Sequence, residues 1–231
     1  MNVIRKIRHK HRDGQLIEAT LWKLKKSVLN PLHKIGLKIT PFYLYEEGHF
    51  GAIWKSRKDD FDEYEIGFLS PRDMKEIAAL SRGDWSSEEK LLARFNDGQK
   101  CFGAKYPGKI VAFTWSNFES CHDSLYKFPL RDDEAYLWDA FTIPSSRGKG
   151  IAPYLRLRFQ KKLETLGRNK SYSITLFFNR PAISFKNKLN ARPIFLGINL
   201  ASRRKCYLSL KIKSHCCPNY LRKRRKLVNF S

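Results

Sequence analysis

The chain has 231 residues, 42% hydrophobic and 13% aromatic, which supports a packed core and excludes a wholly disordered chain. No apolar run approaches the 18 or more residues of a membrane-crossing helix, and the basic first residues lead into no secretory apolar region, so a cytoplasmic protein is expected. The net charge of +23 is unevenly spread: residues 1–60 carry +7, residues 61–146 carry −5, and residues 147–231 carry +21 with Glu164 as their single acid. That asymmetry points the C-terminal part toward something anionic, with a solvated basic surface as the plain alternative.

In chain order, residues 13–29 predict an amphipathic helix, capped by Asp13, with Ile17, Leu21, Leu24 and Val28 on one face. It could pack on a neighbouring core or lie on an anionic membrane surface. Residues 30–61 are rich in turn signals and hold one short strand around Pro41–Tyr45. Glu63–Leu69 reads as a strand. Ser70 then caps a helix with Pro71 at its first position and Asp73 in its first turn. Ser86 or Ser87 starts another helix, which Gly98 stops. Two apolar runs around Tyr106-Pro107-Gly108 predict a hairpin. Glu134–Ile143 is the next strand, 151–167 a helix, 171–178 a nearly continuous apolar strand, and 180–189 a short helix with Pro181 in its first turn. Two strands, antiparallel to each other, and a basic tail complete the chain. The order predicts an α+β fold with a mixed, largely antiparallel sheet. The five cysteines are scattered and form no C-x-x-C pair, so neither a metal site nor a disulfide framework is expected.

The most informative stretch is Thr142–Leu155, TIPSSRGKGIAPYL, at a strand-to-helix junction. Such a junction suits phosphate, because glycines admit close backbone approach and the helix start is electropositive. A Walker A loop fails, since Gly150 and not Ser or Thr follows Lys149. A dinucleotide fingerprint fails at its third glycine, where Pro153 stands. The pattern [QR]-x-x-G-x-[GA] is met in full by Arg147-Gly148-Lys149-Gly150-Ile151-Ala152.

This segment resembles the coenzyme A loop of the GNAT acetyltransferase superfamily, including Asp139 and Pro144 upstream. Downstream, FFNRPAISFKNKLNA resembles a second family segment: Asn179, Ala182 and Phe185 match it. Lys186 stands for its usual tyrosine, Asn190 for a glycine and Ala191 for an aromatic. The resemblance covers about two thirds of the chain. It implies a sheet of about seven strands with helices on both faces, splayed beside its fourth strand. It divides the chain into a basic extension (1–61), an acyltransferase domain (62–215) and a basic tail (216–231). The implied activity is transfer of an acyl group from acetyl-CoA, or another acyl-CoA, to a primary amine. Backbone groups of Phe141, Thr142 and Ile143 would hold pantetheine. Arg147, Gly148, Lys149, Gly150, Ile151 and Ala152 would hold the pyrophosphate, and Asn179 would touch the cofactor or cap a helix.

Asp139 is the first candidate for acceptor binding or general base work and Glu134 the second; either could instead be an acid paired with a cation. Lys186 could donate a proton to the leaving thiolate, bind a CoA phosphate or point to solvent. Trp115 and Trp138 line the acceptor pocket or pack in the core. The surplus of positive charge favours an anionic acceptor, such as a sugar nucleotide. The rival readings are a nucleic-acid-binding protein, for which the basic runs speak and no RNA-binding signature does, and a non-catalytic acyl-CoA-binding relative.

Overall fold

In the computed structural model, which describes residues 29–34, 36–48, 61–80, 86–202 and 207–214 together with Lys23 and Ser27, the chain begins with a short helix α1 (Asn30–Lys34) and a long strand β1 (Leu37–Glu47). There follow β2 (Glu65–Phe68), α2 (Met74–Leu80), α3 (Glu88–Asn96), β3 (Lys100–Lys105), β4 (Ile110–Asn117), β5 (Ser120–His122), β6 (Lys127–Pro129) and β7 (Glu134–Thr142). The remaining elements are α4 (Ile151–Thr165), β8 (Lys170–Leu176), α5 (Arg180–Lys188), β9 (Arg192–Ser202) and β10 (Tyr207–Ser214). The helix expected over 13–29 falls outside the described residues but for Lys23, Ser27 and Leu29, and the tail expected over 216–231 lies wholly outside them.

Local chemistry sets the helix ends. Ser70 and Asp73 form a reciprocal capping box, with Pro71 in the 3-10 turn that opens α2. Ser87 accepts from Lys90 N at the start of α3. Asn190, beyond α5, adopts φ +54. Ala191 N donates to Lys186 O and Asn190 N to Asn187 O, the paired closure of a left-handed helix stop. Asparagine tolerates this conformation almost as glycine does, so the missing glycine of the second family segment is compensated.

The main sheet has eight strands in the order β10-β9-β1-β8-β7-β4-β3-β2, and β5-β6 form a separate hairpin. Its pairs are antiparallel except β7 with β8. α2 and α3 cover one face over Cys101, Phe113 and Trp115. The β5-β6 hairpin covers the same face farther along, over Phe42, Leu44, Tyr136, Tyr172 and Phe195. α4 covers the other face, burying Tyr154, Leu155, Phe159 and Leu163 against Phe102, Val111, Ala135 and Leu137. This is the expected α+β architecture with helices on both faces, with one more strand in the sheet than the seven anticipated.

β1 departs most from the sequence reading. It is eleven residues long and inserts between β8 and β9, pairing with β8 from Phe42 to Glu47 and with β9 from Leu37 to Glu46. The boundary expected at residue 62 therefore cuts across one continuous sheet. Pro41 fits inside this central strand because it stands one residue before the β1–β8 ladder begins, where its missing N–H is not needed on that side.

Candidate active site

β7 and β8 run parallel and pair only over Glu134↔Lys170, Ala135↔Ser171 and Tyr136↔Tyr172. Beyond Tyr136 and Tyr172 no further pairing joins them, although β7 continues to Thr142 and β8 to Leu176. The sheet is therefore split beside its fourth core strand. On its other side β7 stays paired with β4, with a bulge between the Phe113 and Trp115 positions. The bulge places Asp139 at φ +50, a strained conformation for a non-glycine residue. Thr114 Oγ1 donates to Trp138 O across it.

The loop at the C-terminal end of β7 leads straight into α4. Ile143 N donates to Val111 O, Pro144–Ser146 makes a 3-10 turn, and Arg147 N donates to Pro144 O. Gly148 at φ +79 and Gly150 at φ +85 turn the backbone through left-handed conformations open to glycine, and Gly150 is the N-cap of α4. A Cβ on Gly148 would meet nothing within 4 Å, so the loop is open above it. Arg147 and Lys149 are exposed. The Arg147 guanidinium folds back, its Nε donating to Thr142 O at 3.0 Å and its carbon 5.9 Å from the Phe141 ring centre. The first turn of α4 holds no acid. Pro153 removes one N–H, leaving those of Ile151 and Ala152 as helix-end donors. Loop glycines, unspent helix-end amides and two exposed cations together suit a diphosphate. Among the described residues no group of three or more His, Cys, Asp or Glu is placed to hold a metal ion.

Asp139 lies three residues past the parting of the strands. Arg94 Nη1 of α3 donates to its Oδ2 at 2.7 Å, and both side chains are largely buried. The guanidinium carbon also lies 4.3 Å from the ring centre of Trp138 and 4.9 Å from that of Trp115. Burial raises the Asp139 pKa above the usual aspartate value in spite of Arg94. Trp115 is fully buried in the core against Phe95, whereas Trp138 is partly exposed. The indole N–H of each is buried without a hydrogen-bond partner.

The other candidates fall elsewhere. Glu134 is at the far end of β7 from the loop and fully buried. Its carboxylate accepts from Arg131 N and from the Tyr172 hydroxyl, tying β7 to β8 where they pair. The structure does not bring it to the split. The Asn179 side chain accepts from Ala182 N and caps α5, which is the helix-cap alternative. Lys186 neither meets solvent nor lies free for a phosphate. It is 4% exposed, and its Nζ donates to Glu47 Oε1 at 2.5 Å. Arg156 Nε of α4 lies 3.4 Å from Glu47 Oε2. Sequence reasoning missed Glu47 and Arg156. Glu47 sits in a stretch that reads as a connection, and Arg156 sits amid a helix whose sequence pattern is dominated by its apolar face. A groove of about 720 Å³ lies away from the split, between β2 and α4, lined by Phe68, Phe102, Tyr154, Arg158, Lys161 and Lys162.

The model of the acetyltransferase (GNAT) family matches residues 58–190. Solved structures with a similar fold include a GNAT-family protein from Novosphingobium aromaticivorans, 18% identical with a TM-score of 0.50, covering 77% of this chain and 69% of its own. A GNAT acetyltransferase from Colwellia psychrerythraea is 14% identical with a TM-score of 0.51, covering 77% of this chain and 57% of its own. The glucosamine N-acetyltransferase region of a fungal multi-domain β-N-acetylglucosaminidase is 14% identical with a TM-score of 0.54, covering 74% of this chain and 22% of its own. No curated protein matches the chain. With more than half of its residues inside the family model, and with a split parallel pair feeding a glycine loop at a helix start, the chain belongs to the GNAT acetyltransferase family.

Proposed function

We propose that the protein transfers an acyl group, in the simplest case acetyl, from acyl-CoA to the primary amine of a small molecule or amino sugar, with both substrates bound together. The observation that carries this reading is the parting of β7 and β8 next to the Arg147–Ala152 loop. The unpaired flank of β7 beyond Tyr136 can receive an extended pantetheine as a further strand would be received. The loop amides, the start of α4, Arg147 and Lys149 suit the phosphates. Holding acyl donor and amine side by side replaces a bimolecular encounter by a positioned attack. Asp139 serves this reading as the acceptor-side carboxylate. Burial makes it a stronger base than a solvated aspartate, while Arg94 keeps it oriented. The +21 charge of residues 147–231 exceeds what coenzyme A needs and supports an anionic acceptor such as a sugar nucleotide.

Isothermal calorimetry with acetyl-CoA is the first test. Saturable binding is expected, and no heat at millimolar ligand overturns the reading. Thiol release is then screened over amine acceptors. Turnover with an amine identifies an enzyme, whereas binding without turnover across the panel marks a non-catalytic acyl-CoA binder.

A further inference from the structure

The groove between β2 and α4 has a volume of about 720 Å³, a size typical of small-ligand sites. None of its described lining residues belongs to β7, β8 or the Arg147–Ala152 loop. On the sheet side, Ile66 packs with the cluster under α4, and Phe68 stands edge-on to Phe102 and Phe159. Phe68 nevertheless stays 40% exposed on the groove, beside Tyr154 and Leu157, so the apolar surface is left partly uncovered. On the helix side, Tyr154, Arg158, Lys161, Lys162 and Thr165 recur at helical spacing along one wall. From Tyr154 to Thr165 that wall is about 16 Å long. Its two ends differ. Phe61 stacks on Tyr154 at 4.3 Å and makes that end apolar. Arg158, Lys161 and Lys162 gather toward the other end. Among the described residues no carboxylate forms an ion pair with any of the three, and Glu164, the single acid of α4, is no exception. Lys162 alone lies in the last turn, where a cation answers the negative helix end, so that effect accounts for one of the three only.

We propose that this groove binds one molecule of a free single-chain anionic amphiphile, a fatty acid carboxylate. Its chain lies on Phe68, Phe102, Tyr154 and Leu157, and its head meets Arg158, Lys161 and Lys162. A wall of about 16 Å matches an extended chain of roughly twelve carbons. The three cations fall between positions 158 and 162 of one helix, so they converge on a single head rather than on a string of charges. Arg158 Nη1 donates to the Tyr154 hydroxyl at 3.3 Å, which anchors the guanidinium and leaves its other N–H groups open to a carboxylate. The stems of Lys161 and Lys162 add apolar cover while their ammonium groups reach the head. A bilayer fits this face poorly. The apolar side of α4 is already buried on the sheet, so the helix has none to lay into a membrane. An added peptide strand fits poorly too. β2 is a four-residue edge strand, and Leu69 N donates inward to Cys101 O. By alternation only Ile66 and Phe68 turn their amides outward, too short a ladder to hold a peptide by its backbone. An apolar recess with one cationic end therefore selects a chain with one anionic end.

The test is calorimetry on the full chain with dodecanoate, kept below the concentration at which it aggregates. Dodecyltrimethylammonium carries the same chain on a cationic head, and butyrate the same head on a short chain. Dodecanoate is expected to bind saturably, one per chain, and at least about tenfold tighter than dodecyltrimethylammonium, with no saturable heat from butyrate. Exchanging both exposed lysines, Lys161→Glu with Lys162→Glu, is expected to weaken dodecanoate about tenfold or more and to abolish the preference for the anionic head. Phe68→Asp weakens dodecanoate as well. Unchanged affinity in both variants places the ligand elsewhere and sinks the proposal. Three results on the unaltered protein do so without any variant having to fold. Equal affinity for the two dodecyl compounds means that the chain alone binds. Hexaglutamate binding as tightly as dodecanoate means an acidic peptide site. Binding to phosphatidylglycerol vesicles without binding to free dodecanoate means a membrane face. The titration is repeated in saturating acetyl-CoA. Unchanged dodecanoate affinity is expected, because the groove shares no residue with the loop, whereas displacement puts the fatty acid in the acyl-CoA crevice and refutes a separate site.

Discussion

A methyl group on Gly197 would sit 2.6 Å from Cζ of Phe42, on the strand paired beside it. Phe42 is fully buried and held edge-on by Phe195, so its ring has nowhere to retreat. Gly197→Ala is therefore expected to cost about 1–3 kcal/mol, read as a lower denaturant midpoint with an unchanged slope. An unchanged midpoint would show that β9 can shift away from β1. The requirement was illegible in the sequence, where Gly197 looks like any glycine in an apolar run. It follows from a neighbour some 155 positions earlier in the chain. Lys186 is a similar case. Its identity shows that the usual tyrosine is missing, but its surroundings come from β1 and α4, and no local pattern announces them. Gly148 and Gly150 are the opposite case: spacing alone singled them out, and both adopt the left-handed backbone that makes glycine necessary.

Elements whose ends are fixed by short-range chemistry were legible. The Ser70–Asp73 box, the Ser87 cap and the strand–loop–helix run through TIPSSRGKGIAPYL all depend on residues within a few positions of one another. The sequence signals only the middle of β1, because Pro41 and the Glu46-Glu47 pair are poor strand formers. The proline is tolerated only because β8 has already ended there, and Glu47 only because Lys186 and Arg156 reach it. The β5-β6 hairpin has no signature in the sequence, because three-residue strands carry almost no periodicity. For α5 the two roles considered for Asn179 separate cleanly. Asn179→Ala is expected to lose about 1 kcal/mol of stability through the lost cap, with acetyl-CoA affinity unchanged. A drop in affinity with unchanged stability would instead return Asn179 to the cofactor.

For the whole molecule, the span matched by the family model and the folded unit differ. The match covers 58–190, yet β1, β9 and β10 lie outside it and make up three adjoining strands of one sheet. A chain beginning at residue 58 lacks the strand between β8 and β9. It is expected to give insoluble or uncooperatively melting protein, judged by circular dichroism during heating. A cooperative transition near that of the full chain would show that β9 can close directly on β8. The same interleaving has a consequence in time. β1 leaves the ribosome early, but its partners at 170–176 and 192–202 are made more than a hundred residues later. At about 5–20 residues per second, the strand waits on the order of ten seconds with both hydrogen-bonding edges uncovered. The last topological step, threading β1 between two late strands, is thus non-local and slow. Until it occurs Glu47 and Lys186 are apart, so their buried ion pair forms only when the chain is nearly complete.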